Sequence, residues 1–365
     1  MYVLELAGKH DAFAACEAES AASDVCVVAA GLATARGLTD RAPNLAFTHR
    51  ASALVGTTDP SVESARALLE AASLDREGSV AVRAVDVRST AGVDTQRAER
   101  ELGSVLVDRG FAVDLDDPDH ELRALFAGPP GAESVAAGGP AGGSAGDGAR
   151  DAACESAGDG AGDAPDGEAG RCALGWLATE TDRGYEQRRP TDRPFFQPGS
   201  MDPMLARALV NVAGARPGRT VLDPMCGTGG VLIEAGLVGA RVVGLDAQRK
   251  MVRGTRANLR DALGADGAFD VCRGDARRPP IPADAVDAIV FDAPYGRQSK
   301  IEGGTLTDLV GDALGAARDL APRAVVVGDR SWEAAAEDAG WTVERRFERR
   351  VHRSLVRHVH VLERA

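Results

Sequence analysis

The run Asp292-Ala293-Pro294-Tyr295 holds the most specific chemistry in this chain of 365 residues. An exocyclic amine on a nucleobase is a poor nucleophile because its lone pair is delocalised into the ring. Acceptors on its two N–H bonds, here the Asp292 carboxylate and a backbone carbonyl near Ala293, pull the nitrogen toward tetrahedral geometry. The lone pair then points at an electrophilic methyl held in line, so catalysis is mostly positioning plus electrostatics. Tyr295 offers a ring for a base to stack on, and Pro294 stiffens the turn. In isolation the same four residues read equally well as a strand end followed by a Pro-Tyr turn.

A second group of residue types lies upstream. Thr220 to Glu234 reads as a buried strand, the turn Asp223-Pro224-Met225-Cys226-Gly227-Thr228-Gly229-Gly230, and a helix start. The glycines let backbone approach a ligand closely, and the helix N-terminus offers free N–H groups. Nineteen residues after Gly227, a second strand ends at Asp246, the place where doubly wound folds grip ribose hydroxyls. A third strand ends in Gly274-Asp275-Ala276, and the fourth runs from Val286 to Asp292. A Gly-x-Gly-Gly turn alone is a weak signal, and Leu232 stands where the dinucleotide fingerprint has its third glycine. Four ordered strands, each tipped by an acid at its C-terminal edge, are a much stronger one, because open α/β sheets bind ligands along that edge. Cys226 has no adjacent base and reads as a small packing residue.

The elements around these residues divide the chain. In the first half, Val3–Leu6, Val25–Ala29, Leu45–Val55 and Val80–Val87 read as strands, with helices over Asp11–Ala22, Ser61–Ser73 and Thr95–Arg109. Phe111–Leu115 and Glu121–Phe126 form a strand-turn-strand unit around Asp117-Pro118-Asp119. His10, His49 and His120 are isolated, and no phosphate loop, nucleophile elbow or metal cluster occurs there. This half is an α+β module whose default role is binding. In the second half, Leu306, Leu309, Val310, Ala313, Leu314, Ala317 and Leu320 form a helical stripe that packs on a sheet. The tail from Val343 to Leu362 reads as a final hairpin. His358 and His360 share one face of it, and with His352 they lack a fourth metal ligand. The tail is therefore expected to be a solvated basic edge, open to RNA phosphate.

Between the halves, Gly128–Gly170 is almost entirely Gly, Ala, Pro, Ser, Asp and Glu. It cannot bury enough apolar surface to offset its ordering entropy, so it is expected to be a disordered insertion in a lengthened hairpin loop. The formal charge of −13 is uneven: residues 1–127 carry −9, residues 128–170 carry −7 and residues 171–365 carry +3. Only Lys9, Lys250 and Lys300 are lysines, every other basic residue being Arg, and such an acidic, Arg-for-Lys composition is that of a protein adapted to high salt. A hydrophobic content of 44% with 27% charged residues fits a soluble globular protein without a membrane span or signal peptide. Six cysteines without a C-x-x-C pair point to reduced thiols in a cytoplasm.

The motifs together resemble a known family. Asp292-Ala293-Pro294-Tyr295 looks like the (D/N)-P-P-Y motif of S-adenosylmethionine-dependent amino-methyltransferases, and Asp223 to Gly230 is similar to their cofactor loop. Arg193-Pro194-Phe195-Phe196-Gln197-Pro198-Gly199-Ser200-Met201-Asp202-Pro203 resembles the segment before that loop in archaeal tRNA (guanosine-10, N2)-methyl- and dimethyltransferases. The resemblance covers nearly the whole chain apart from 128–170. It implies that Asp223, Gly227, Thr228, Gly229 and Gly230 hold the cofactor, its methionine part lying on the glycines and Thr228. Asp246 would bind the ribose, Asp275 with Ala276 the adenine edge, and Phe196, Pro198, Gly199 and Ser200 would line the pocket. Asp292, Pro294 and Tyr295 would act on guanine N2. Met225 and Ala293 depart from the family's usual aromatic and Pro; Ala293 keeps the backbone carbonyl but loosens the turn.

The expected fold is α/β. A C-terminal Rossmann-like methyltransferase sheet with an antiparallel final hairpin (183–365) follows an α+β ferredoxin-like subdomain (1–56) and a THUMP-like RNA-binding domain (57–182). The resemblance implies an enzyme that uses S-adenosyl-L-methionine and acts on tRNA; the rest of the sequence adds the expectation of a cytoplasmic, monomeric protein without membrane or metal. Three alternatives stay open on the residues alone: a guanine-N2 methyltransferase of another RNA such as rRNA, a DNA amino-methyltransferase, and a non-catalytic RNA-binding protein on the same scaffold.

Overall fold

The computed structural model describes residues 1–132, 169–264, 267–295, 305–352 and 355–364, which fall into two compact units joined at Asp182/Arg183. The first unit contains β1 (Tyr2–Leu6), α1 (Asp11–Ala18), β2 (Ala22–Ser23), β3 (Cys26–Ala29), β4 (Leu32–Ala35), β5 (Gly37–Leu38) and β6 (Thr48–Thr58). It continues with α2 (Val62–Ala71), β7 (Ser79–Asp86), α3 (Thr95–Asp108), β8 (Ala112–Val113), β9 (His120–Ala127) and β10 (Arg171–Glu180). Eight of these strands form one sheet in the order β3-β4-β1-β6-β10-β9-β7-β8. Leu102 and Leu106 of α3 and Leu69 of α2 pack on Leu122, Phe126, Leu174 and Trp176 of that sheet.

The expected boundary at 56/57 falls inside β6, so both proposed subdomains share this sheet. β9 and β10 pair antiparallel from Ala127↔Arg171 to Leu122↔Trp176, the two arms of a hairpin with a long connection. The insertion expected at 128–170 lies mostly outside the described residues. Other boundaries differ from expectation. The first helix stops at Ala18, and Ala22–Ser23 instead pairs with Gly37–Leu38. The strand expected from Leu45 begins at Thr48, because Ala42–Asn44 forms a single 3-10 turn. β4 was hidden in Leu-Ala-Thr-Ala, where Gly31 at φ +73° turns the chain back.

The second unit contains α4 (Pro203–Val212), β11 (Thr220–Asp223), α5 (Gly230–Leu237), β12 (Arg241–Asp246), α6 (Arg249–Leu263) and β13 (Phe269–Arg273). After it come β14 (Ala288–Asp292), α7 (Leu306–Leu320), β15 (Arg323–Gly328), α8 (Glu333–Asp338), β16 (Trp341–His352) and β17 (Leu355–Arg364). Its seven-stranded sheet runs β13-β12-β11-β14-β15-β17-β16; β13 to β15 are parallel and β17 is antiparallel to both its neighbours. The strand order reverses between β11 and β14, and ligands of doubly wound sheets bind outside the strand C-termini at that reversal. The expected stripe of α7 does pack on the sheet: Val310, Leu314 and Ala317 join Leu222, Ile289, Phe291 and Val326. Thr305 and Asp308 close the N-terminus of that helix in a reciprocal capping box.

Candidate active site

β11, β12 and β14 deliver Asp223, Asp246 and Asp292 to the same edge of the sheet, on either side of the strand-order reversal. Asp223 is buried and accepts the Met225 N–H at 3.0 Å. Burial pushes its carboxyl well above the usual range, and the charges of Asp246 and Asp292 push the same way. Asp246 accepts the Gln248 N–H (2.8 Å) on one oxygen and the Gly227 N–H (3.1 Å) on the other. One lone pair therefore remains on each oxygen for a ligand hydroxyl. Burial raises Asp246 as well, opposed by those two backbone N–H groups.

The glycine turn sits between these acids. Gly227 (φ +52°) and Gly229 (φ +80°) adopt left-handed backbone, and Gly229 is the N-cap of α5. The Thr255 hydroxyl donates to Gly227 O at 2.7 Å from α6. From the same helix the Asn258 amide accepts the Phe195 N–H (2.8 Å) and donates to Phe195 O (2.8 Å) and Thr228 O (2.9 Å). Asn258 thus ties the 193–203 segment to the glycine turn. Ser200 meets Thr228 hydroxyl to hydroxyl at 3.0 Å, which brings a second point of that segment onto the turn. Pro198 and Gly199 are exposed, and so is Phe196 at 41%. Cys226 is buried beside Thr255 as a packing residue, its thiol pushed up by burial.

Asp275 lies two residues beyond the end of β13 rather than at its tip, next to Gly274, whose N–H donates to Asp246 O at 3.2 Å. The Asp275 carboxylate is paired with Arg277 at 2.7 Å, which lowers it, and it lines a surface groove with Thr307, Asp308 and Gly311. Ala276 beside it is buried.

At the end of β14, the Tyr295 hydroxyl donates to Asp292 Oδ1 at 2.8 Å and accepts from Arg357 Nε–H at 3.1 Å. Arg357 Nη2 lies 3.8 Å from Asp292 Oδ2. Burial raises the Asp292 carboxyl to about 6; Arg357 and the Tyr295 hydroxyl pull it down, and Asp329 adds repulsion. The Tyr295 hydroxyl is itself raised, by burial and by the Asp292 charge. Ala293 N–H donates to Val327 O at 2.7 Å, so the turn leaves the sheet one residue after β14 ends. Pro294 is half-buried in that turn.

Arg357, Asn258 and Thr255 were not among the residues expected from sequence. The tail reading is also corrected. β16 is the exposed edge strand, whereas β17 lies inside the sheet and His360 is 2% exposed. Its Nε2 accepts from the Ser331 hydroxyl and the Trp332 N–H, and burial holds its pKa down to about 4, so it is neutral. A signal for Arg357 was present in the pleat: it is in phase with Val359 and Val361, both fully buried. Among the described residues, no group of three or more His, Cys, Asp or Glu is placed to hold a metal, and no helix is long and apolar enough to cross a membrane.

A mainly parallel sheet with this reversal, a glycine turn and an acid-tipped β14 followed by Ala-Pro-Tyr defines a methyltransferase-type α/β domain. Residues 190–359 match the RMKL-like methyltransferase domain family UPF0020. A tRNA (guanine(10)-N2)-dimethyltransferase of Methanothermobacter thermautotrophicus is 43% identical over 192 residues, 52% of this chain and 56% of that protein. A probable tRNA (guanine(10)-N2)-dimethyltransferase of Methanothermococcus thermolithotrophicus is 32% identical over 164 residues, 43% of this chain and 96% of that protein. The crystal structure of TrmN from Thermus thermophilus aligns over 100% of this chain and 99% of its own, at 23% identity and a TM-score of 0.47. The chain belongs to the tRNA (guanine(10)-N2)-dimethyltransferase family. It spans about half the length of the first curated relatives it matches.

Proposed function

We propose that this protein methylates the exocyclic N2 of guanosine 10 in tRNA, once and then a second time, with S-adenosylmethionine as methyl donor. The observation that carries the reading is the pairing of a half-buried acceptor, Asp292 held by Tyr295 and Arg357, with a glycine turn across the strand-order reversal. The turn fits the cofactor: a Cβ built on Gly227 would meet nothing nearer than Met225 O at 3.9 Å, so the space above it is open. Gly227 to Gly230 would hold the methionine part, Asp246 the ribose hydroxyls, and Ser200 with Thr228 the pocket wall. Asp275 would reach the adenine edge only by giving up part of its pairing with Arg277. The cofactor supplies a methyl on a sulfonium sulfur and leaves as the thioether.

The residues of this chain do the rest. Asp292 accepts one N2 hydrogen, and the carbonyl near Ala293 takes the other. The nitrogen lone pair, freed from the ring, forms the new N–C bond as the C–S bond breaks, and the surplus proton leaves through the Asp292 carboxylate. After one transfer a single N–H remains, and Asp292 can orient it for the second. Because the amine lies in a paired stem, the base must leave its stack to reach Tyr295.

The first unit supports the binding half of this reading, with its ferredoxin-like part at 1–56 and THUMP-like part at 57–182 holding the tRNA by shape and backbone. The acidic, Arg-rich composition supports a cytoplasm of high salt, and the five described cysteines are all free thiols. The test supplies labelled cofactor with tRNA transcripts carrying guanosine or inosine at position 10. Label should enter the guanosine transcript alone, and nucleoside digestion should show mono- and then dimethylguanosine. Equal labelling of inosine, which lacks the amine, would end the reading. Labelling of rRNA or duplex DNA in preference to tRNA would transfer it to another substrate.

A further inference from the structure

We propose that Arg357 is the positioning residue that assigns the two oxygens of Asp292, giving Oδ1 to Tyr295 and keeping Oδ2 for the substrate amine. The inference rests on the function proposed above and concerns a residue outside the Asp-Ala-Pro-Tyr run.

A guanidinium can only donate. Arg357 Nε–H donates to the Tyr295 oxygen, so the single hydroxyl proton of Tyr295 is directed elsewhere, and Asp292 Oδ1 stands 2.8 Å away to receive it. The chain of donors therefore has one direction, Arg357 to Tyr295 to Asp292. Oδ2 faces Arg357 Nη2 at 3.8 Å, too far for a strong hydrogen bond but close enough for Coulomb attraction. It keeps its lone pairs for an incoming N–H. Without Arg357 the hydroxyl can turn away, Asp292 can rotate about its terminal torsion, and the acceptor direction is lost.

The charges around Asp292 give the second argument. Asp329 after β15 repels it, Asp223 on β11 is pushed toward its neutral form, and Tyr295 beside it is neutral. Arg357 is the cation facing it. It reaches Asp292 from β17, through β15, a neighbour of both strands. At 6% exposure Arg357 is screened little by salt. With the Asp292 carboxyl already raised to about 6 by burial, loss of this cation pushes the acceptor toward its protonated form near neutral pH.

The experiment compares the parent protein with Arg357→Met, Arg357→Lys and Tyr295→Phe. One readout is the pH dependence of single-turnover methylation of the guanosine-10 transcript. The other is the titration of the Asp292 carboxyl itself, followed by 13C NMR on protein carrying labelled aspartate and needing no turnover. The parent should lose rate about tenfold per pH unit below about 6, the behaviour of one essential ionised carboxylate. Arg357→Met should slow transfer about 10–100-fold at pH 7 and move both the rate limb and the carboxyl titration upward by about one unit or more. Arg357→Lys keeps the charge but not the Nε–H, so it should leave the titration near the parent's while lowering the rate. Tyr295→Phe should lower the rate with a smaller upward movement. Equal loss at every pH with an unmoved carboxyl titration in Arg357→Met would overturn the proposal. So would a Lys variant that shifts as far as Met, which also decides the matter if Arg357→Met does not fold. Failure of the parent to label guanosine 10 would count against the function alone, because the carboxyl titration judges Arg357 without it.

Discussion

Gly227 and Gly229 share a left-handed backbone yet face different neighbours, so their substitutions should separate stability from binding. A Cβ on Gly229 would lie 2.7 Å from Thr255 Cγ2, and relieving that contact displaces the hydroxyl that supports Gly227 O. A Cβ on Gly227 would project into open space beside the turn. Left-handed backbone costs an alanine about 1–2 kcal/mol in either place, and the broken hydrogen bond adds about 1 kcal/mol at Gly229. Gly229→Ala should therefore lower the unfolding free energy by about 2–3 kcal/mol, and Gly227→Ala by about half of that. Gly227→Ala should nevertheless weaken S-adenosylmethionine binding at least as much. Denaturant unfolding beside equilibrium dialysis would show this, and a Gly227→Ala protein with parental affinity would contradict the assigned cradle. At this scale the sequence was legible wherever the chemistry is local. Asp223, Asp246, Asp292 and Tyr295 lie in short motifs with strand and turn signals beside them. Arg357 was missed although its phase with Val359 and Val361 was there to read, because its partner is 62 residues away and its neighbours His358, Arg353 and Arg350 made the tail look solvated.

Helix α6 contributes more to the site than its composition suggests. Arg249, Arg253, Arg256 and Arg260 mark it as a charged surface helix, yet Gly254, Thr255 and Asn258 line one buried face. Gly254 is required there because the Phe195 ring fills the space of a side chain, 2.0 Å from where a Cβ would be. The Asn258 amide then makes three hydrogen bonds to backbone groups of two separate segments. Asn258→Ala should leave these groups unsatisfied and cost about 2–4 kcal/mol of stability, with a parallel loss of cofactor affinity. Asn258→Asp retains the acceptor for the Phe195 N–H but turns a buried carboxylate onto two carbonyl oxygens, and should cost at least as much as the alanine. A melting temperature within 1–2 °C of the parent, roughly the shift of a few tenths of a kcal/mol, would show that the 193–203 segment docks without the amide. Elements with clear periodicity were legible: α7, β11, β12, β14 and the final hairpin all lie where patterning placed them. Short strands were not, because Leu32–Ala35 and Ala22–Ser23 offer two to four residues of alternation, and pairing rather than propensity defines them.

The charge of the whole molecule makes a further prediction, because its ion pairs divide by burial. Arg123 grips Glu5 through Nε and Nη2 at 3.0 and 2.9 Å, and Arg207 meets Glu234 at 2.8 Å, all inside the protein. These pairs are shielded from solvent and should respond little to salt. The exposed pairs, such as Arg97 with Glu63 and Arg241 with Asp270, sit in water, where a Debye length of about 3 Å at about 1 M leaves them almost no attraction. What salt removes in larger measure is the repulsion among carboxylates, concentrated where residues 1–127 carry −9 and residues 128–170 carry −7. Screening a surface of one dominant sign stabilises the compact state. Raising KCl from about 0.1 M to about 3 M should therefore raise the melting temperature, with the steeper slope in the transition of residues 1–182 and a shallower one in residues 183–365, which carry the balanced charge. Calorimetry across that range distinguishes the two transitions, and a flat or falling melting temperature would contradict the high-salt reading. The same screening weakens attraction between cationic groups and phosphate, since the counterion-release gain shrinks as bulk salt rises. Guanosine-10 labelling that persists at molar KCl would then have to rest on contacts salt leaves intact: the shape of the tRNA, stacking on Tyr295, and the acceptor that Arg357 holds in place.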